Sequence, residues 1–277
     1  MKCAWKELLS ILPQNLRKDV DNLGKDSLQE IRLRRSQPVQ LICHKQTHWL
    51  KDTASIEELN YTLNTASRYS PWAAATISQG YLTAQGGHRI GIGGEAVVRD
   101  GQITGIKNLS SLCIRVARDF PGIAASAGQA AESMLILGPP GSGKTTFLRD
   151  LIRHKAEKSC VAVVDEREEL FPQAANFMPG RQMDVLSACD KPRGIDMVLR
   201  TLGPQCIAMD EITSEQDCDA LIRAGWCGVQ LLATAHASDV TDLYSRPVYR
   251  PLVQTRLFQT AIVLRPDKSW RLERMKL

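Results

Sequence analysis

The chain has 277 residues, of which 43% are hydrophobic and 23% are charged. This composition is typical of a folded, soluble protein and excludes an intrinsically disordered chain, and the length favours two domains over one. The formal net charge of +5 is compatible with a nucleic-acid or anionic-membrane partner but too small to predict one. No apolar run approaches the roughly 20 residues of a membrane-spanning helix. We therefore expect any membrane association to pass through partner proteins.

The eight cysteines are scattered and include no C-x-x-C pair, so neither a zinc ribbon nor a redox dithiol is indicated. Several lie within apolar runs, such as SCVAVV and QCIAMD, where a thiol acts as a small hydrophobic side chain in a reducing compartment. In the N-terminal stretch MKCAWKELLSILPQNL, charges interrupt the apolar residues, which is not typical of a secretory signal. These features predict a cytoplasmic protein.

The first 120 residues combine short helical and strand patterns. The segment up to Leu23 has apolar residues at near-helical spacing and predicts an amphipathic helix. LQEIRLRRSQPVQLIC alternates apolar and polar residues on both sides of Pro38, which predicts two strands joined by a turn. SIEELNYTLNTAS predicts another helix, and the glycine-rich stretch after it predicts a hairpin that turns at Asp100-Gly101. We expect a small α+β domain over residues 1–120.

The rest of the chain has a different pattern. Residues 121–131 lose the periodicity and predict a linker. From Met134 onward, the short apolar runs MLIL, CVAVV, CIAM and VQLLATA alternate with helical patterns. This alternation is typical of βαβ units, in which helices cover both faces of a parallel sheet. We expect an α/β domain over residues 132–277.

The segment MLILGPPGSGKTT carries the strongest chemical signal. It fits the pattern G-x-x-x-x-G-K-[ST], follows an apolar run and opens a helix with an apolar inner face. In this pattern, glycine backbone N–H groups surround phosphate oxygens, the lysine brings a positive charge to the β and γ phosphates, and the threonine hydroxyl binds Mg²⁺. The predicted nucleotide site consists of Gly138, Pro139, Pro140, Gly141, Ser142, Gly143, Lys144, Thr145 and Thr146.

Two acidic residues end another apolar run, in the sequence CIAMDEI. Asp210 and Glu211 lie at the carboxyl end of the predicted strand, where open α/β sheets bind ligands. Phosphoryl transfer needs a carboxylate for the metal and a group that orients water, so we expect Asp210 to hold Mg²⁺ and Glu211 to polarise the water. Thr213 and Gln216 have the spacing of a capping box that starts the next helix. A solvated acidic turn is the alternative interpretation.

The run VAVVDEREEL brings a second acidic pair, Asp165 and Glu166, to a strand end. We interpret Asp165 as part of the same ligand-binding edge. Glu168 and Glu169 are instead typical of the acidic first turn of a helix. A position at the start of such a helix, with no role at the ligand-binding edge, is the alternative interpretation of Asp165.

His236 directly follows the apolar run VQLLATA, which predicts a strand that reaches the same edge. An imidazole at this place can donate a hydrogen bond near the γ-phosphate while ATP is bound and lose that partner after hydrolysis. We therefore predict a sensor of the nucleotide state. The alternative is a histidine that only satisfies the backbone of its own turn.

Taken in order, these segments resemble the motifs of the secretion superfamily of hexameric ATPases, the motors of type II and type IV secretion and of pilus retraction. GPPGSGKTT resembles their Walker A motif and VVDEREEL their Asp box, while IDMVLRTLGPQCIAMDEI resembles their arginine-containing helix and Walker B motif. ALIRAGWCGVQLLATAHASD resembles their His box. A closer resemblance, to the stage III sporulation protein AA family of endospore-forming bacteria, extends into GGHRIGIGGEAVVRDGQITGIKNLSSLCIRVAR and spans most of the chain.

The resemblance implies an α/β fold, with a RecA-like P-loop NTPase core and a smaller N-terminal α+β domain, and an ATPase that uses ATP and Mg²⁺. It implies catalytic roles for Glu211, Glu166 and His236. It implies metal-binding roles for Thr145, Asp210 and Asp165. The secretion motors usually carry glycine before the Walker B glutamate, whereas this chain has Asp210, so the division of work between the two acids remains open.

The resemblance further implies a ring of six copies, in which arginines of the N-terminal domain reach the phosphates. Arg89, Arg115 and Arg118 are the candidates, although a solvated basic strand face explains any one of them equally well. The implied function is the ATP-hydrolysing motor of a secretion-like channel between mother cell and forespore. The implied partners are membrane proteins of that channel, reached from the mother-cell cytoplasm.

Three other functions are compatible with a P-loop. A nucleic-acid-translocating ATPase predicts an affinity that falls steeply with salt, but only 5% of the residues are aromatic and no basic stacking platform is present, so nucleic acid is not an expected partner. A small-molecule kinase would not need His236 or so large an N-terminal domain. A GTPase is disfavoured because CDKPRG lacks the asparagine and aspartate of an N-K-x-D segment.

Overall fold

The computed structural model describes residues 1–44, 46–68, 73–127, 132–172, 175 and 177–275. The chain divides into two compact units, Met1–Asp119 with Pro172–Phe177 and Phe120–Phe171 with Met178–Leu277. The predicted linker at 121–131 does not coincide with this division. Residues 121–127 form turns, and Ala124 and Ala127 are buried in a core of the second unit. The rest of the predicted linker, residues 128–131, lies outside the described residues.

The first unit contains a six-stranded sheet in the order β3-β2-β1-β6-β5-β4, and all of its strand pairs are antiparallel. Its elements in chain order are α1 (Trp5–Ile11), α2 (Gln14–Leu23), β1 (Leu28–Arg34), β2 (Pro38–Cys43), β3 (Thr47–Thr53), α3 (Ile56–Ser67), α4 (Ala73–Ser78), β4 (Tyr81–Thr83), β5 (Arg89–Arg99) and β6 (Gln102–Arg115). The α+β character predicted for this part of the chain is confirmed.

Local sequence signals set several of these boundaries. α3 begins at a capping box, in which the Ser55 hydroxyl accepts the backbone N–H of Glu58 and the Glu58 carboxylate accepts that of Ser55. The turn between β5 and β6 has positive φ at both Asp100 and Gly101, as a type I′ hairpin requires. The single helix predicted up to Leu23 is instead two helices, because Pro13 favours extended backbone at the residue before it.

One face of this sheet packs against helices. Ile31 and Leu33 of β1 and Leu112 and Ile114 of β6 are fully or almost fully buried in one core, which also includes the apolar faces of α1, α2 and α3. The register pairs Ile31 with Ile114 and Leu33 with Leu112. Burial of each such side chain stabilises the unit by roughly 1.5–3 kcal/mol.

The second unit contains a seven-stranded sheet in the order β13-β12-β7-β11-β10-β8-β9. Its elements are β7 (Met134–Leu137), α5 (Lys144–Ala156), β8 (Val161–Asp165), β9 (Met183–Ser187), α6 (Lys191–Thr201), β10 (Cys206–Glu211), α7 (Glu215–Trp226), β11 (Gln230–Ala235), α8 (Val240–Ser245), a 3₁₀ turn (Pro247–Tyr249), α9 (Arg250–Gln254), β12 (Thr260–Leu264) and β13 (Trp270–Arg274). Neighbouring strands are parallel except for β12 and β13. The predicted α/β class is confirmed.

Helices cover both faces of this sheet. Leu135 and Leu137 of β7 pack into one core with residues of α6 and α7, whereas Met134 and Ile136 pack into another with α5. β7 and β8 are buried along their whole length, as expected for parallel strands covered on both sides. Polar residues lie at the carboxyl ends of β8 and β10, which end in Asp165 and in Asp210 and Glu211. In the part of the chain that the structure describes, no helix is both long and apolar enough to cross a membrane.

Candidate nucleotide site

Four adjacent parallel strands, β7, β11, β10 and β8, deliver the predicted site residues to one edge of the sheet. The P-loop (residues 138–143) follows β7, and His236 follows β11. β10 ends in Asp210 and Glu211, and β8 ends in Asp165. Because parallel strands end at the same edge, these groups lie in consecutive positions across it, where open α/β sheets bind their ligands.

The P-loop backbone requires glycine at particular positions. Gly141 and Gly143 have φ of 73° and 103°, in the left-handed region that side chains disfavour. At Gly138 the constraint is space, because a Cβ there would lie 2.5 Å from Ser142 Oγ and 2.9 Å from the carbonyl oxygen of Leu264. α5 begins directly after Gly143, so its first backbone N–H groups point toward the loop as in anion-binding helices.

Lys144 is buried at the start of α5, and only 7% of it is exposed. Its Nζ donates to the carbonyl oxygens of Gly138 (2.9 Å) and Pro139 (3.2 Å) and lies 3.0 Å from Nδ1 of His236. Burial lowers the pKa of Lys144, and the nearby carboxylates of Glu211 and Asp210 oppose this shift. The ammonium is therefore held by neutral acceptors in the P-loop, which the charged oxygens of a phosphate can replace.

His236 connects Lys144 to Glu211. Its Nε2 lies 2.6 Å from Oε1 of Glu211, while its Nδ1 faces the lysine. An ammonium donates only and a carboxylate accepts only, so the geometry assigns a neutral imidazole with the proton on Nε2. The backbone N–H of His236 also donates to the hydroxyl of Tyr249. The three side chains form one continuous polar chain from the P-loop to the end of β10.

Asp210 is almost fully buried beside this chain, and 6% of it is exposed. Burial, followed by the charges of Asp165 and Glu211, raises its pKa to about 6. The pairing of β10 with β11 shifts register between Met209 and Glu211. Such irregularities often redirect side chains next to functional sites, and this one lies at the two acidic residues. A cation near Asp210 would relieve the cost of its ionisation.

The two residues predicted from VAVVDEREEL have different environments. Asp165 is fully buried, and its carboxylate accepts the backbone N–H groups of Glu169, Leu170 and Phe171 at 2.8–3.0 Å. Its oxygens thus hold the turn after β8, and the metal role of Asp165 stays a prediction. Glu166 is about one-third exposed, and its Oε2 lies 3.4 Å from Nζ of Lys191.

Nearly the whole chain matches one protein family. The family model described as "Sporulation stage III, protein AA" matches residues 4–271. The chain belongs to the sporulation stage III protein AA family. It is 32% identical to stage III sporulation protein AA of Bacillus subtilis (strain 168), over 95% of this chain and 92% of that protein. It is also 29% identical to the protein ycf45 of Cyanidium caldarium, over 60% of this chain and 54% of that protein.

Solved structures similar to this member of the sporulation stage III protein AA family confirm the RecA-like fold. The pilus retraction motor PilT, solved with ADP, superposes with a TM-score of 0.60 at 15% identity, over 90% of this chain and 76% of PilT. The ATPase DotB of Legionella pneumophila superposes with a TM-score of 0.58 at 16% identity, over 95% of this chain and 80% of DotB. At these identities the likeness establishes the fold alone.

The three candidate arginines of this family member all lie in the first unit. Arg89 and Arg115 are directly opposite each other on β5 and β6, and the guanidinium of Arg89 lies 4.3 Å from the ring centroid of Tyr81. Arg118 donates to the carbonyl oxygen of Asp26. That they reach the phosphates stays a prediction.

Two residues at the site were not found from sequence. The Tyr249 hydroxyl accepts from the backbone of His236 and donates to the carbonyl oxygen of Ile212, so it joins the ends of β11 and β10. Lys191, at the start of α6, contacts the backbone of Glu211. No local pattern marks either residue, because each acts through packing between elements that are distant in sequence.

The residues present fit a triphosphate with Mg²⁺. The Ser142 hydroxyl is buried within the P-loop and has no hydrogen-bond partner among the described residues, as expected of a donor whose partner is a ligand. Mg²⁺ in proteins is usually held by one or two protein groups together with phosphate oxygens. Thr145 and Asp210 are the residues of this family member that would supply them.

Proposed function

We propose that this chain binds Mg²⁺ and ATP at the P-loop and hydrolyses ATP to ADP and phosphate. The observation that carries the proposal is the continuous chain Lys144–His236–Glu211 at one edge of the sheet, with contacts of 3.0 Å and 2.6 Å. Through His236, this chain connects Lys144, which would bind phosphate, with the Glu211 carboxylate, which would activate water. The family and the RecA-like fold support this assignment.

Lys144 is the first residue to respond to the nucleotide. Phosphate oxygens compete with the two P-loop carbonyls and with His236 for its ammonium, and the charge-assisted contact is the stronger one. Transfer of the lysine to phosphate removes the donor from Nδ1 of His236. The imidazole then reports occupancy of the P-loop directly to Glu211, to which its Nε2 is bonded.

Glu211 is the candidate general base. It is about one-quarter exposed, so a water molecule can reach the carboxylate. Its hydrogen bond with His236 fixes the direction of the carboxylate, since that contact is short and the imidazole is held through its own backbone by Tyr249. When bound, Mg²⁺ would neutralise phosphate charge, and Thr145 and Asp210 would hold it.

Membership of the family supports a biological role in sporulation. We place the chain in sporulation as the ATP-driven motor of a secretion-like channel between mother cell and forespore, working from the mother-cell cytoplasm through membrane partner proteins. The likeness to a pilus retraction motor and to DotB supports a motor. A homo-hexamer, with Arg89 and Arg115 directed at the nucleotide, completes the proposal.

Nucleotide binding and phosphate release by Lys144→Ala test the proposed site. Lys158→Ala is the matched control, because Lys158 is an exposed lysine beyond the far end of α5. We expect release to fall to background in Lys144→Ala and to stay at the wild-type rate in the control. Equal release from wild type and Lys144→Ala would place hydrolysis elsewhere.

A further inference from the structure

Lys191 is a buried cation next to the candidate site that the proposed mechanism does not use. Only 4% of it is exposed, and its Nζ lies within 3.4 Å of four oxygen atoms. These are the carbonyl oxygen of Glu211 (2.7 Å), Thr213 Oγ1 (3.1 Å), Asp217 Oδ2 (3.2 Å) and Glu166 Oε2 (3.4 Å). The ammonium therefore joins the end of β10, the start of α7 and the turn after β8.

The position of Lys191 is unfavourable in two ways. Burial of an ammonium costs free energy unless it is paired, and Lys191 is the first residue of α6, where the helix dipole disfavours a positive charge. The oxygens around it offset both costs. Asp217 is the main charged partner, and although burial raises its pKa, the backbone N–H of Thr213 and the charge of Lys191 outweigh burial and lower it.

Asp217 in turn fixes the loop that follows Glu211. Its Oδ2 accepts the backbone N–H and the hydroxyl of Thr213, and the backbone N–H of Ser214. Ser214 and Asp217 form the capping box that starts α7. Lys191 at the start of α6 thus holds the carbonyl oxygen of Glu211, and Asp217 at the start of α7 holds the backbone at Thr213 and Ser214.

We propose that Lys191 is a positioning residue for hydrolysis: it anchors the main chain of Glu211 and orients Glu166 without touching the nucleotide. The proposal rests on the ATPase function proposed above. The carboxylate of Glu211 has to stay within hydrogen-bond distance of His236, and a misplacement of about 1 Å at a catalytic group can cost roughly 100-fold in rate. Lys191 limits such a displacement because it holds the backbone carbonyl of the same residue, Glu211.

Lys191→Met tests this role, because methionine keeps the unbranched stem and removes the ammonium. Phosphate release, affinity for a non-hydrolysable Mg·ATP analogue and thermal stability are measured for this variant and for Lys158→Met, the same change at an exposed position. Glu211→Gln gives the background of release. We expect kcat of Lys191→Met to fall by roughly 10–100-fold, as for other outer-shell partners, with nucleotide affinity unchanged.

Two further variants separate positioning from stability. Lys191→Arg keeps the charge and should recover part of kcat. The double variant Lys191→Met/Asp217→Asn removes both buried charges and should recover thermal stability, yet it still lacks the anchor on Glu211 and should stay slow. If kcat and thermal stability both recover in the double variant, the ammonium of Lys191 serves stability alone. That result would overturn the proposal.

Ring ¹⁵N signals of His236 give a readout that does not depend on turnover. In the wild-type protein they should show a single neutral form with the proton on Nε2, and in Lys191→Met a mixture of forms, because Glu211 is no longer fixed. Unchanged ring signals and unchanged kcat would refute the positioning role. Wild-type release equal to that of Glu211→Gln would instead contradict the ATPase proposal, and the ring signals would then decide the role of Lys191 on their own.

Discussion

Asp210 should reduce the stability of the ligand-free protein. Its pKa is raised from 3.8 to about 6 by burial and by the charges of Asp165 and Glu211, so the folded state disfavours the ionised carboxylate. The folded protein binds the proton more tightly than the unfolded chain, and stability falls as pH rises from the unfolded pKa to the folded one. The full cost is present above about pH 6 and absent below about pH 4.

The shift sets the size of the effect. A change of about 2 pKa units corresponds to about 3 kcal/mol at 1.36 kcal/mol per unit. Asp210→Asn removes the charge and keeps the shape, so it should stabilise the ligand-free protein by up to about 3 kcal/mol at pH 8. For a domain of this size, that corresponds to a rise in Tm of several degrees.

Differential scanning calorimetry in EDTA at pH 8 and at pH 5 measures this effect. The gain in Tm should be large at pH 8 and clearly smaller at pH 5, and Mg·ATP should stabilise the wild type more than the variant. Asp184→Asn, the same change at an exposed position on β9, is the control and should have little effect. A Tm for Asp210→Asn equal to or below that of wild type at pH 8 would refute the reasoning.

Two further predictions concern other parts of the second unit. His236→Ala should keep nucleotide affinity and lower phosphate release by about 10-fold or more, measured by titration and by turnover; loss of binding itself would indicate a purely structural histidine. Asp150→Ala should lower the free energy of unfolding, measured by urea denaturation, by about 3 kcal/mol. The buried carboxylate of Asp150 accepts the backbone N–H groups of Gly122 and Ala124 and pairs with Arg153. An unchanged urea midpoint would count against that contribution.

The sequence predicted the features that local pattern determines. The P-loop follows from glycine spacing between an apolar run and a helix, and that helix buries the expected inner face, including Phe147 and Leu148. The strands that end at Glu211 and at Ala235, just before His236, follow from their apolar runs. The strand order that brings these ends together is not visible in any one segment, but it is the usual consequence of βαβ connections.

The sequence did not predict those side-chain contacts for which several partners are available in the folded structure. Thr213 and Gln216 have capping-box spacing, yet the cap is Ser214 with Asp217, because Thr213 instead donates to Asp217. Asp165 ends a strand as expected, but the sequence did not predict that its carboxylate accepts three backbone N–H groups of the turn that follows. Lys191 belongs to the same class, since only the folded arrangement brings oxygens from three segments to its ammonium.

Phosphate release by Glu211→Gln, measured with nucleotide binding in the same samples, tests the central claim most directly. The amide keeps the shape of the side chain that contacts His236 and removes its ability to act as a base. Glu211→Gln should bind Mg·ATP about as tightly as the wild type and release phosphate only at the background rate. Release at the wild-type rate from Glu211→Gln would contradict the assignment of hydrolysis to this edge of the sheet.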